Sequence, residues 1–389
     1  MNRFIAILYL SFPSVQYWKK KIILRTISKG DMRKIVSVLV ALCALWSVRA
    51  EERIVVVAGT DPEPLAGATV FTRAGIIAGM TDSCGVIGGL SPNDYPLSVR
   101  YLGFKPGTAA TWTDTLRMEE ETFCLDEVVV TPEDRPVLKL TLYMREYACR
   151  TIPGDTLIMF NEHMANCYIP TAKTKFRAVR VPQIRASRCY NREATAQGDT
   201  VYLAPEFDEM LSWTDMIEFP TKKLSEDESH YSDLPFTFMH KPEDVRGLGL
   251  GNDVYIVSRD YLAKSKNHRE SPGFLKLLGL TTDFFRMDEA WAYRAKPEGT
   301  YYPEEVIYGT FNFQATIRGK LFKKLIKAKK DIDMLSYIEL YVVDATPMTA
   351  AEAKADKKDK SAVPEFVVSP LAPPLEPTIQ AIVDRVNGK

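Results

Sequence analysis

The chain has 389 residues, enough for two domains with cores of their own. Its composition, 46% apolar and 26% charged, is that of a globular protein and excludes a disordered or fibrous chain. Fifty basic and fifty acidic residues leave no formal net charge, and no run of 18 or more apolar residues exists to form a transmembrane helix.

The first 50 residues read as a targeting segment. Met32-Arg33-Lys34 is a short basic region, residues 35–46 are apolar, and Val48-Arg49-Ala50 supplies the small or branched residues of a cleavage site. Cleavage is expected after Ala50, with translation starting at Met32 and residues 1–31 lying upstream of the natural start. The alternative, an uncleaved anchor over residues 4–12, is short and runs into Pro13. Cys43 follows Leu42, where lipidation needs a small residue. The segment holds nine Lys or Arg and one acid, Asp31, so the mature chain keeps 41 bases and 49 acids, a net charge of −8. That balance argues against nucleic-acid binding, in which phosphate neutralisation dominates affinity. The chain is therefore expected to be exported, and periplasmic or outer-membrane-associated.

Residues 53–131 alternate short strands with turns. Arg53-Ile-Val-Val-Val-Ala-Gly59 is followed by a proline turn at Asp61-Pro-Glu-Pro64, then by Pro64-Leu-Ala-Gly-Ala-Thr-Val70 and Thr81-Asp-Ser-Cys-Gly85. After the turn Ser91-Pro-Asn-Asp94, Leu97, Val99 and Tyr101 alternate as in a half-buried strand, Gly103-Phe104 follows, and Leu125-Asp-Glu-Val-Val-Val-Thr131 closes the region. Strands this short at such spacing predict a sandwich. Taken together these motifs resemble the carboxypeptidase-regulatory-like domain, a prealbumin-like seven-stranded β-sandwich, and especially the form at the N-terminus of Bacteroidota outer-membrane proteins. The resemblance covers about a fifth of the chain. It implies a fold and leaves the chemistry open.

Residues 138–345 read as a second, larger, antiparallel-β-rich domain, making the whole mainly β, with α+β as the alternative. Leu138, Leu140, Leu142 and Met144 alternate with Lys139, Thr141, Tyr143 and Arg145. If Pro153-Gly154 is a two-residue hairpin loop, paired residue numbers sum to 307, and Arg145 faces Glu162, Tyr147 faces Phe160 and Tyr143 faces Met164. Further strands are expected over 156–169, 175–190, 254–262, 283–294, 305–317 and 337–343, a short helix over 210–219, and a long loop over 221–251. The domain resembles the uncharacterised partner that follows this sandwich in Bacteroidota proteins. Residues 346–377 read as a charged, then proline-rich, linker. Ile379, Ile382, Val383 and Val386 then predict a short amphipathic helix over 378–389, either docked on its own domain or bound to a partner.

No residue set qualifies as catalytic, cofactor-binding or metal-binding. His240-Lys-Pro-Glu243 has the first spacing of a zinc carboxypeptidase, but His268 follows too soon and Asn191-Arg192 lies on the wrong side. Glu162-His163 sits on a strand, so its side chains point to opposite faces. Gly247-Leu-Gly-Leu-Gly251 lacks the strand–helix frame of a phosphate loop. Asp227-Glu228 and Glu304-Glu305 lie in turns, whereas glycosidase carboxylates converge from separate strands. The basic stretch 318–330 offers peripheral membrane contact or packs as a solvated element on the sheet. Cys84, Cys124, Cys149, Cys167 and Cys189 lack a Cys-x-x-Cys pair and read as buried small side chains, with one disulfide as the alternative.

The expected function is a non-enzymatic envelope protein, binding or scaffolding, with an envelope protein, lipid or glycan as partner. An accessory component of a TonB-dependent outer-membrane receptor is one alternative, since 125–131 resembles the segment leading into that receptor's plug. Too few residues follow to form the receptor barrel itself. A hydrolase with an unrecognised site is the other. The aromatic sets Trp291/Tyr293 and Phe311/Phe313 are the expected recognition surface, provided the sheet face carrying them is open.

Overall fold

A computed structural model describes residues 52–59, 62–121, 134–152, 155–193, 201–203, 212–221, 223–225, 243–251, 254–263, 268–270, 281–295, 299–319, 331–359 and 364–388. The fold is mainly β, and residues 52–389 form one compact unit. No helix among the described residues is long and apolar enough to cross a membrane.

Seven short strands come first: β1 (Glu52–Ala58), β2 (Thr69–Phe71), β3 (Ile77–Met80), β4 (Val86–Leu90), β5 (Leu97–Arg100), β6 (Gly107–Ala109) and β7 (Thr115–Met118). They form two sheets, β4-β1-β7 and β3-β2-β5-β6, with β1 antiparallel to β4 and parallel to β7. Val56, Ala68, Val70, Leu97 and Val99 fill the space between them. The turn before β4 shows why its sequence is Asp-Ser-Cys-Gly. The Asp82 carboxylate accepts the backbone N–H of Cys84 (2.8 Å) and of Val86 (2.9 Å). Gly85 has φ +71°, and a Cβ there would lie 2.6 Å from the Val56 carbonyl oxygen.

The larger part consists of β8 (Val137–Ile152), β9 (Asp155–Pro170), β10 (Val179–Glu193), β11 (Val201–Leu203), β12 (Leu224–Ser225), β13 (Asp244–Leu250), β14 (Val254–Asp260), β15 (His268–Glu270), β16 (Thr281–Arg294), β17 (Thr300–Tyr301), β18 (Val306–Arg318) and β19 (Ile332–Met348). Ten of these make one sheet in the order β11-β10-β9-β8-β19-β18-β16-β14-β13, with β15 pairing β16, while β12 pairs β17. The β8–β9 register follows the 307 sum throughout, from Val137↔Pro170 to Ile152↔Asp155, so Arg145 does face Glu162 and Tyr147 does face Phe160. The loop residues 153–154 lie outside the described set. Arg145 reaches Glu162 through Tyr143: Arg145 Nε donates to the Tyr143 hydroxyl over 3.0 Å, and that hydroxyl donates to Glu162.

The alternation over 138–145 predicts one wet face, yet Tyr143 and Arg145 are as buried as Leu140 and Leu142. Each face of the sheet has its own cover. On one face, Thr69 donates to Asn312 Oδ1 (2.8 Å), Asn312 Nδ2 donates to the Gly67 carbonyl (3.1 Å), and Arg286 donates to the Thr81 carbonyl (2.8 Å), docking the sandwich by polar pegs. On the other, residues 212–224 lay Trp213, Ile217, Phe219 and Leu224 against Trp291, Phe311 and Phe313. Glu146, fully buried, pins that segment. Its carboxylate accepts from Asn161 Nδ2 (3.1 Å), Ser212 Oγ (2.6 Å), the Trp213 N–H (3.0 Å) and Ser336 Oγ (2.9 Å). The short helix expected here is a single 3₁₀ turn, Thr214–Met216, with extended chain after it.

The end of the 221–251 stretch, expected as loop, is strand β13. Gly247 belongs there because the Tyr255 hydroxyl occupies the place its Cβ would take, 1.9 Å away. The stretch expected as linker contains a helix, α1 (Ala350–Lys358), started by a capping box in which Thr349 and Glu352 bond each other's backbone N–H. The terminal helix α2 (Pro377–Val386) buries Ile379 and Ile382 among Phe71, Tyr147, Ile158 and Phe160. It is therefore docked on its own chain. Cys149 and Cys167 are buried and Cys84 is exposed. Cys124 lies outside the described residues.

Candidate functional site

Among the described residues, those weighed from sequence lie apart. Glu162 and His163 point to opposite faces of β9, as expected, and His163 Nδ1 lies 2.8 Å from Ser187 Oγ on β10. His268 sits on β15 with its backbone opposite Phe284. The backbone of Asn191-Arg192 pairs with β11. Glu305 caps the Pro303–Glu305 turn by accepting the Tyr302 N–H over 2.8 Å. His230, His240, Asp227-Glu228, residues 125–131 and most of the basic stretch 318–330 lie outside the described residues. The aromatic sets expected as a recognition face are core: Trp291, Tyr293, Phe311 and Phe313 are each at most 1% exposed, because the 212–224 segment covers them.

A different place is open. Where the sandwich meets the β13–β14–β16 side of the large sheet, a cleft of about 400 Å³ runs between the loops around Leu65 and Leu102 and the strands. Junctions between packed units are common sites for ligands of small-molecule size. Three aspartates face one another directly across neighbouring strands, Asp244↔Asp260↔Asp288. Like charges so placed repel, and arginines relieve the outer two. Arg246 Nε is 2.8 Å from Asp244 and Arg286 Nε is 2.5 Å from Asp288. Asn312 also donates to Asp288 over 2.7 Å. The middle one, Asp260, accepts the Leu262 N–H at 2.8 Å. Burial, with Asp288 and Asp244 beside it, pushes the Asp260 carboxyl above its ordinary value. On the opposite face of the same strands, Arg259 Nη1 pairs with Glu289 at 2.7 Å, and Tyr261 donates to the same carboxylate. Burial lowers the Arg286 guanidinium, but Asp288, Asp260 and Asp82 together hold it above the usual value.

The sign of the Asp260 effect is testable. An acid whose folded pKa is raised binds its proton more tightly folded than unfolded. Stability therefore falls as pH rises from the ordinary aspartate value, about 3.9, through the raised one. Asp260→Asn is expected to raise the denaturation midpoint at pH 7, with the gain shrinking as pH falls through that window. A variant less stable than wild type at pH 7 contradicts it.

One aromatic opens onto this cleft. Phe284 pairs with Ala315 and Arg286 with Gln314, so Phe285 is the extra residue of a β-bulge. Its ring stays 41% exposed at the cleft. In the sequence Phe285 is one of many aromatic residues on these strands, and two adjacent phenylalanines that break the period-two alternation are the trace a bulge leaves.

No family model matches the chain, and no curated protein matches it. Among solved structures it is similar to a lipovitellin structure concerned with lipid–protein interactions, at 9% sequence identity and a TM-score of 0.27, over 56% of this chain and 26% of the other. The chain thus spans about a quarter of that chain's length, and a likeness this slight bears on neither fold nor function.

Proposed function

We propose that this chain is an exported, non-enzymatic binding protein of the cell envelope, with a regulatory-like sandwich at its N-terminus and the seam cleft as its recognition site. The observation that carries the reading is the cleft itself: a volume of small-molecule size, an aromatic ring held open by a bulge, and polar side chains of both signs on rigid strands. Arg246 and Arg286 are each held by a carboxylate, an arrangement that suits hydrogen bonding to a ligand. The basic and apolar residues of 32–50 support export. The test is fractionation of the envelope, followed by native mass spectrometry of the purified protein. A small ligand retained by the wild-type chain and lost from Phe285→Ala is expected. A cytoplasmic chain, or one that converts its ligand to a product, overturns the reading.

A further inference from the structure

Residues 364–388 cross from the large sheet to the sandwich, and arginines hold them along the way. Phe366 lies under Arg188 of β10, whose guanidinium is 4.0 Å from the ring centroid. Arg145 of β8 donates to the Pro373 carbonyl over 2.6 Å, and Arg100 of β5 donates to the Pro374 carbonyl. Ser98 donates to the Glu376 carboxylate, and Arg100 Nε stands 3.5 Å from it. Thr378 donates to the Arg73 carbonyl over 2.8 Å. Ile379 and Ile382 then enter the cluster of Phe71, Tyr147 and Phe160.

The segment sits on this surface as a guest. Within it only Ser369, Glu376, Ile379 and Ile382 are buried, whereas the floor beneath it, Arg100, Arg145, Tyr147 and Tyr337, is buried throughout. Arginine and tyrosine are the residues that dominate the centres of protein interfaces. A charge sealed under a peptide must find partners in that peptide. Here two carbonyls and one carboxylate supply them, so the fit is chemical as well as steric. Four of the eight residues from Pro370 to Pro377 are proline. They stiffen the backbone before it docks and lower the entropy lost on docking. With so few of its own side chains buried, the segment opens at a lower free energy than the sheet beneath it. Every copy of the chain carries the one sequence seen to fit the groove, and exchange between two copies closes with two-fold symmetry.

We propose that this groove is an interaction surface for residues 364–388 of a second copy, the two chains exchanging these segments in a two-fold dimer. Arg145 and Arg100 then hold the Pro373 and Pro374 carbonyls of the incoming segment, and Ser98 and Arg100 hold its Glu376. In the monomer the chain's own segment fills the groove and competes for it. This inference goes beyond the binding reading above and does not depend on what the seam cleft holds.

The test uses the full chain and a fluorescent peptide of residues 364–388. Glu376→Ala and, separately, Ile382→Ala weaken the chain's own segment and leave the arginines of the groove in place. Each variant is expected to bind the wild-type peptide at least about tenfold more tightly than the wild-type chain does, because the tethered competitor is weakened. A peptide carrying Glu376→Ala should bind these variants more weakly than the wild-type peptide. A tethered segment has an effective concentration of about 1 mM. Small-angle scattering of the wild-type chain at that concentration should therefore show a dimer that excess peptide returns to monomer. Peptide bound equally by the wild-type chain and both variants overturns the placement in the groove. No peptide bound by either variant overturns the exchange, since the segment is then a fixed part of the fold. A chain that stays monomeric at that concentration, or a dimer that excess peptide leaves intact, overturns the second copy as the partner.

Discussion

Replacing Trp291 with alanine is expected to lower the unfolding free energy by about 3–5 kcal/mol. The indole is fully buried, with Phe219 (ring centroids 5.3 Å apart) and Phe311 (5.0 Å) packed edge-on against it. Opposite it on β18 is Gly309, where a Cβ would lie 2.6 Å from the ring, so the glycine is the space the tryptophan fills. Truncation leaves a cavity that rigid neighbouring strands cannot close. Urea unfolding measures the loss, read from the midpoint at constant slope. Gly309→Ala probes the same contact from the other side. Overpacking there should cost about 1–3 kcal/mol, and less in the Trp291→Ala background, because the two changes share one volume. A Trp291→Ala protein that melts like wild type contradicts the buried placement and restores the open aromatic face.

The second large effect is expected at Arg100. Its guanidinium, 3% exposed, lies where three parts of the chain meet. It pairs with Glu339 on the large sheet at 2.9 Å and with Glu376 before α2 at 3.5 Å, donates to the Pro374 carbonyl, and stacks over Tyr147 at 5.1 Å. Arg145 holds the same strap by donating to the Pro373 carbonyl over 2.6 Å. Removing one member of a buried ion network leaves uncompensated buried charge, at a cost of about 3–5 kcal/mol. Arg100→Ala should therefore destabilise the protein by that amount and also free the C-terminal strap. Limited proteolysis should cut residues 364–388 at a denaturant concentration where the rest of the chain is intact. The exposed pair Lys105–Glu119, at 3.3 Å, is the control, and its removal should leave both readouts unchanged. A loss below about 1 kcal/mol with the strap still protected would falsify this role.

Local features account for what was legible. The short strands and turns of 53–118 follow from Pro, Gly and Asx chemistry acting over four or five residues, and the structure has them. The β8–β9 register follows from a two-residue loop and a period of two, which together fix each later pair. The α2 helix is visible because its apolar residues recur at helical spacing over ten positions. Helix α1 was missed because its sequence, AAEAKADKK, has little apolar face and is equally suited to a charged linker. Its capping box, Thr349 with Glu352, was the available signal.

The sequence by itself determined the mainly β class and the hairpin register. Tertiary structure alone decided which sheet faces are covered, and with that which aromatics are core and which one is open. The physical reason is distance along the chain. Thr69 meets Asn312 across 243 positions, Arg100 meets Glu376 across 276, and Ser212 meets Glu146 across 66. Period-two alternation states which side chains share a face. It cannot state what lies on that face, and only the packing of remote segments settles that Trp291 is enclosed and Phe285 is open.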